Sequence, residues 1–145
     1  MTNQTGVSLK LERTLNAPVD RVFTALTSKA AIAKWFGPSD EMKITVHAWD
    51  CKVGGNYRVE FVSPKGDQHI AVGTFREIVP GEKVSYSWAW EGQPPMDTLV
   101  TFRVKADGDR TQLTMTHEGF PDQEMCGHHE QGWTGSMERL VRAIA

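Results

Sequence analysis

Residues 116–144 read THEGFPDQEMCGHHEQGWTGSMERLVRAI, a strand ending in Thr116-His117-Glu118-Gly119-Phe120-Pro121 that runs into one long helix. Met125, His129, Trp133, Met137, Leu140 and Ile144 recur in it every three or four residues, the spacing that aligns side chains along one side of an α-helix. A helix with one apolar face needs a surface to bury it against. That surface is legible upstream, where six strand-like stretches from Met42 to Glu118 are separated by Gly, Pro, Asp and Asn turns. A long helix gripped by a curved antiparallel sheet leaves a space between the two, and the function is expected there.

Further upstream, Val7, Leu9 and Leu11 alternate with Ser8, Lys10 and Glu12 in a strand over Val7 to Leu15, placed at an edge or closing the sheet. Pro18 opens a short helix where its missing N–H costs nothing, with Val19, Val22, Phe23 and Leu26 as its apolar stripe. Ser28 can cap a second helix that ends at Trp35-Phe36 before Gly37-Pro38. The sheet strands are expected over Met42–Trp49, Asn56–Val62, His69–Val79, Lys83–Trp90, Asp97–Lys105 and Arg110–Glu118. Short turn segments such as Pro80-Gly81-Glu82 and Asp107-Gly108-Asp109 make the pairing an antiparallel meander. Only the segment 91–96, with Pro94-Pro95-Met96, is long, and it is expected at a rim.

Period-two rows define the expected wall of the hollow. Tyr57, Val59 and Phe61 share one side, as do Val84, Tyr86, Trp88 and Trp90, then Val100, Phe102 and Val104, then Thr111, Leu113, Met115 and His117. Turned inward, these rows face the helical stripe. Arg58, Glu60, Lys83, Ser85, Arg103, Lys105, Gln112 and Thr114 fall on the opposite, solvated side.

At 145 residues the chain fits one domain spanning 1–145, and a net charge of −2 with interspersed acids and bases leaves no basic stripe for nucleic acid. No run of 18 apolar residues and no secretion-type start at Met1-Thr2-Asn3-Gln4-Thr5 are present, so no membrane insertion and a cytoplasmic location are expected. Cys51 and Cys126 are too few for a disulfide framework.

The order of several short motifs resembles the START-like superfamily of the birch-pollen-allergen type, also called SRPBCC. Within it, the resemblance is to the group similar to activator of heat-shock-protein-90 ATPase homologue. The motifs are Ala17-Pro18-Val19 with Val22-Phe23, Trp35-Phe36-Gly37-Pro38, Val53-Gly54-Gly55 and Gly73-Thr74-Phe75 with Glu77-Ile78. Thr111-Gln112-Leu113-Thr114, His117-Glu118 with Phe120-Pro121, and His129 with Gly132-Trp133, Met137 and Leu140 complete the series. The resemblance implies an α+β helix-grip fold, with seven antiparallel strands wrapped around the C-terminal helix and two small helices after the first strand. It also implies a deep cavity for a hydrophobic molecule, and no particular reaction or cofactor.

Three functions fit that frame. The first is binding of a hydrophobic or amphipathic small molecule, with walls from Tyr57, Phe61, Phe75, Tyr86, Trp88, Trp90, Phe102 and Met115. Trp133, Met137 and His129 would join from the helix, His117 would close one end, and Trp35 with Phe36 would stand by the mouth. A dry void of about 300 Å³ would cost on the order of 7 kcal/mol, so such a space must hold water, a guest or collapsed side chains. The second is a cyclase-like or other acid–base enzyme in the same cavity, with His117 or His129 as proton carrier. The third is a module acting on a chaperone ATPase as partner. Cys126, His129 and Glu130 lie within one helical turn, yet no paired metal-ligand spacing accompanies them, and no metal is expected. Neither cysteine is flanked by cations that would activate it, and Ser136 has no recognisable base. If His47 and Trp49 share an outward face, Trp49 offers a homodimer contact.

Overall fold

The structure, a computed structural model, describes residues 7–93 and 97–144. Its elements in chain order are β1 (Val7–Leu15), α1 (Val19–Thr27), α2 (Lys29–Trp35), β2 (Lys43–Trp49), β3 (Asn56–Val62), β4 (Gln68–Val79), β5 (Lys83–Trp90), β6 (Thr98–Asp107), β7 (Arg110–Phe120) and α3 (Gln123–Ile144). The seven strands form one antiparallel sheet in the order β1-β7-β6-β5-β4-β3-β2. Six strands follow one another as a meander, and β1 returns to the free edge of β7. This is the α+β helix-grip arrangement, with two short helices after the first strand and α3 along the concave face. The tip Pro94-Pro95-Met96 lies outside the described residues.

Local chemistry explains the joints. The carbonyl of Pro18 accepts from the N–H groups of Arg21 and Val22, so the proline stands as the cap of α1. Ser28 belongs to both small helices: its N–H donates to Thr24 O and its carbonyl accepts from Ile32 N. Its side chain makes no capping bond, contrary to the expectation for Ser28. Both joints are made by backbone alone.

Two differences from the sequence reading arise in the sheet. A register shift between Val46 and Ala48 puts a bulge at His47, and a bulge reverses the side-chain phase beyond it. Trp49 therefore shares the inner face with Ile44 and Val46, while His47 and Ala48 are exposed. The Trp49 ring packs 5.1 Å from Phe75 and 5.6 Å from Tyr57, and its Nε1 donates to Thr27 O. The homodimer contact that depended on an outward Trp49 thus loses its residue. Ser85, expected on the solvated side, is buried between its cross-strand neighbours Glu77 and Thr101. On the same face Lys83 is ion-paired with Glu77, the neighbour of Ser85, at 2.6 Å.

Candidate functional site

Two tryptophan–histidine pairs hold the inner ends of β5, β7 and α3 together. Trp133 Nε1 donates to His117 Nδ1 at 3.0 Å. An indole N–H can only donate, so Nδ1 accepts and the proton of neutral His117 sits on Nε2. That Nε2 donates to Thr98 Oγ1 at 2.9 Å, whose hydroxyl donates onward to Trp88 O at 2.6 Å. The second pair repeats the logic with opposite nitrogens. Trp90 Nε1 donates to His129 Nε2 at 2.9 Å, leaving His129 Nδ1 to donate to Met125 O at 2.9 Å. Both imidazoles are neutral and both are saturated. Burial pushes the pKa of His117 well down, and any proton taken up by the neighbouring His129 would push it further the same way. For His129 burial again lowers it, against the raising effect of the Met125 carbonyl.

Beside these pairs lies a pocket of about 660 Å³ open to solvent. Its floor is aromatic and buried: Phe36, Phe61, Trp88 and Trp133. Trp90, Ile70, Met42, Met125, His129 and Gly132 form the walls, and Gln68, His69, Glu91, Gln93 and His128 stand exposed at the mouth. Of the residues expected to face a guest, Phe61, Trp88, Trp90, His129 and Trp133 line this pocket. His117 lies behind Trp133, fully buried. Trp35, Tyr57, Phe75, Tyr86, Phe102, Met115 and Met137 are also not in the lining. They pack as solid core.

The reason is collapse of half the hollow. Tyr57, Phe75 and Tyr86 lie within 5.1 to 5.9 Å of one another, and the inward Trp49 fills the remaining space between them. Tyr57 Oη donates to Ser87 O at 2.7 Å, over a Gly73 whose added Cβ would fall 1.9 Å from that same oxygen. Trp35 turns away from the mouth, its Nε1 donating to Ala25 O. At the other end Trp133 is bonded to His117 on β7 and Trp90 to His129 on α3, and the space beside these pairs stays open.

Residues 36–38 make one wall, and Arg139 on α3 positions it. Its guanidinium donates to Lys34 O at 3.0 Å, to Phe36 O and to Gly37 O, and Nε reaches Asp40 Oδ1 at 3.0 Å. The fork thereby satisfies the last carbonyls of α2, with a cation at the negative end of the helix. Pro38 crosses α3 at Gly135, where an added Cβ would stand 2.1 Å from Pro38 O. Nothing in the spacing of Arg139 announced this role, because its partners are backbone atoms about 100 residues away. Ser136 and Gly132 were legible in principle: they follow His129 and Trp133 on the same helical face.

The charges of the site are few. Among the described residues no Lys or Arg lines the pocket, and Glu91 is held by Arg58 through two bonds of 2.9 and 2.8 Å. The thiols of Cys51 and Cys126 are both pushed up, first by burial and then by Asp50 and Glu130, the reverse of what a nucleophile needs. Among the described residues no three His, Cys, Asp or Glu side chains stand together as a metal cluster, and no helix is long and apolar enough to cross a membrane. Among the described residues, the buried Tyr86 Oη and Trp88 Nε1 have no hydrogen-bond partner.

Comparison with known proteins agrees with this architecture. The sequence pattern of the family described as Activator of Hsp90 ATPase homolog 1-like protein matches residues 16–145. A Chromobacterium violaceum protein of solved structure is 30% identical, with a TM-score of 0.87 over 94% of this chain and 96% of that one. The AHSA1 protein of Silicibacter pomeroyi is 23% identical, with a TM-score of 0.86 over the same shares. CalU16 from Micromonospora echinospora is 27% identical, with a TM-score of 0.70 over 95% of this chain and 76% of that one. No curated protein matches the chain.

Proposed function

The chain belongs to the Activator of Hsp90 ATPase homolog 1-like family, and from that premise we propose that it binds an apolar, flat small molecule in the pocket between β5 and α3. The pocket itself carries the proposal. Its volume of about 660 Å³ falls in the range of small-molecule sites, roughly 300–1,000 Å³, and its floor is four aromatic rings. A helical glycine at the wall supports the same reading. An added Cβ at Gly132 would meet nothing within 4 Å, although glycine inside a helix costs about 1 kcal/mol relative to alanine. The helix keeps a residue that weakens it where a side chain would enter the space.

Holding a guest fits the histidines better than turning one over. A general base needs a free nitrogen within reach of the proton it takes, and every ring nitrogen of His117 and His129 already has a partner. Mass spectrometry of small molecules that copurify with the protein tests the proposal directly. An aromatic or polycyclic guest released on denaturation is expected. A protein that carries none, and whose melting temperature does not move with uncharged aromatic probes, would refute it.

A further inference from the structure

We infer that Ser136 orients the bound molecule, and that this molecule is uncharged, with a carbonyl-type oxygen on its flat apolar body that accepts a hydrogen bond from the Ser136 hydroxyl. The inference rests on the pocket reading above and names the guest's chemistry.

Elimination among the buried polar groups of the lining leads to Ser136. Trp133 Nε1 is bonded to His117, Trp90 Nε1 to His129, and His129 Nδ1 to Met125 O. Trp88 Nε1 has no partner among the described residues, but the atom itself is sealed from solvent and so from the open pocket. Ser136 remains. It is only 4% exposed and lines the pocket. Helical hydroxyls commonly bond the carbonyl four residues back, as Thr24 does to Asp20 O and Thr27 to Phe23 O. Ser136 makes no such bond and has no hydrogen-bond partner among the described residues, yet its oxygen is not among the sealed atoms. A buried hydroxyl left open to a pocket is a group awaiting a partner.

Its placement suits that role. Along α3, His129, Gly132, Trp133 and Ser136 share the face that lines the pocket. The bare backbone at Gly132 lets a flat body lie against the helix, and Ser136 is one turn further along, next to the crossing of Gly135 and Pro38. The charge of the guest follows from the lining. A charged molecule entering this aromatic space would lose hydration with no fixed countercharge to replace it. Glu91, the one carboxylate in the lining among the described residues, is already paired with Arg58, His129 is neutral, and His69 and His128 stand outside at the mouth.

Competition against the uncharged fluorophore N-phenyl-1-naphthylamine tests this with three molecules that share one tricyclic body: fluorenone, fluorene and fluorene-9-carboxylate. The wild type is expected to bind fluorenone roughly two- to tenfold more tightly than fluorene, the worth of one neutral hydrogen bond, and the carboxylate more weakly than either. Ser136→Ala should erase the preference for fluorenone and leave fluorene binding and the melting transition intact. If the fluorophore and fluorene bind but the fluorenone preference is absent, or survives in Ser136→Ala, the role of Ser136 is overturned while the pocket stands. Tighter binding of the carboxylate overturns the uncharged guest. If neither the fluorophore nor fluorene binds, the pocket reading fails and this inference falls with it.

Discussion

Trp133 and His117 are joined by an Nε1–H to Nδ1 hydrogen bond of 3.0 Å between α3 and β7, inside a region where His117 has no exposure at all. The bond fixes the tautomer of the imidazole and ties the gripping helix to the sheet at the point where the hollow stays open. Protonating His117 would set two N–H groups against each other. Its folded state therefore requires the neutral ring.

Stability is expected to fall with acid because of this pair. The folded pKa of His117 lies well below its ordinary 6.5, so between those values the unfolded chain binds the extra proton and the folded chain does not. The contribution is fully present above about pH 6.5 and is lost below it, at up to about 1.4 kcal/mol per pH unit from His117 alone. His129 shifts in the same direction, lowered by burial and opposed by its bond to the Met125 carbonyl. Urea titrations from pH 8 to 4.5 measure it; a flat profile between 6.5 and 5 contradicts the neutral assignment.

Trp133→Phe removes the donor and keeps a ring. The buried Nδ1 of His117 is then left without a partner, a loss of about 1–3 kcal/mol, and the pKa of His117 should rise because protonation no longer opposes an indole N–H. Equilibrium unfolding measures the first effect and histidine NMR titration the second. An unchanged pKa would show that burial alone governs the ring.

Two glycines of α3 should respond oppositely to alanine. Gly132→Ala adds a methyl to open space and gains helix propensity, so the protein should become more stable by about 0.5–1 kcal/mol. Gly135→Ala drives its methyl to 2.1 Å from Pro38 O, and the forced shift should cost about 1–3 kcal/mol. Thermal melts of the two variants decide the matter, and equal effects would mean that the helix does not sit as described.

Gly132→Leu should fill the pocket while the protein still folds. Binding of N-phenyl-1-naphthylamine is expected to drop at least tenfold, with the melting temperature held or raised. Retained binding would place the fluorophore elsewhere.

Arg139→Ala should destabilise the protein by about 2 kcal/mol, because the carbonyls of Lys34, Phe36 and Gly37 lose their donor. Arg139→Lys should restore little of it, since an ammonium cannot reproduce the fork. Chemical denaturation of both variants provides the test. A lysine variant as stable as the wild type would reduce the clamp to a simple charge effect.

Much of this architecture was written in local pattern. The alternation of Tyr57, Val59 and Phe61, the turn at Asp107-Gly108-Asp109 and the helical stripe from Met125 to Ile144 each report a periodicity set by backbone geometry within a few residues. They sufficed for seven strands, two small helices and a gripping helix. The bulge at His47 escaped because alternation assumes an unbroken phase, and one extra residue turned Trp49 inward without changing any residue type.

By itself the sequence determined which faces are apolar, and so that a sheet would close around the last helix; burial of those faces leaves few other solutions. Only the tertiary structure decided which half of the hollow is filled. Tyr57, Phe75 and Tyr86 read no differently from Phe61, Trp88 and Trp90, yet the first group meets Trp49 and closes while the second lines an open pocket, where Trp90 is bonded to His129 and the facing Trp133 to His117. That choice depends on contacts between residues far apart in the chain, where packing is settled by shape and partner and not by residue type.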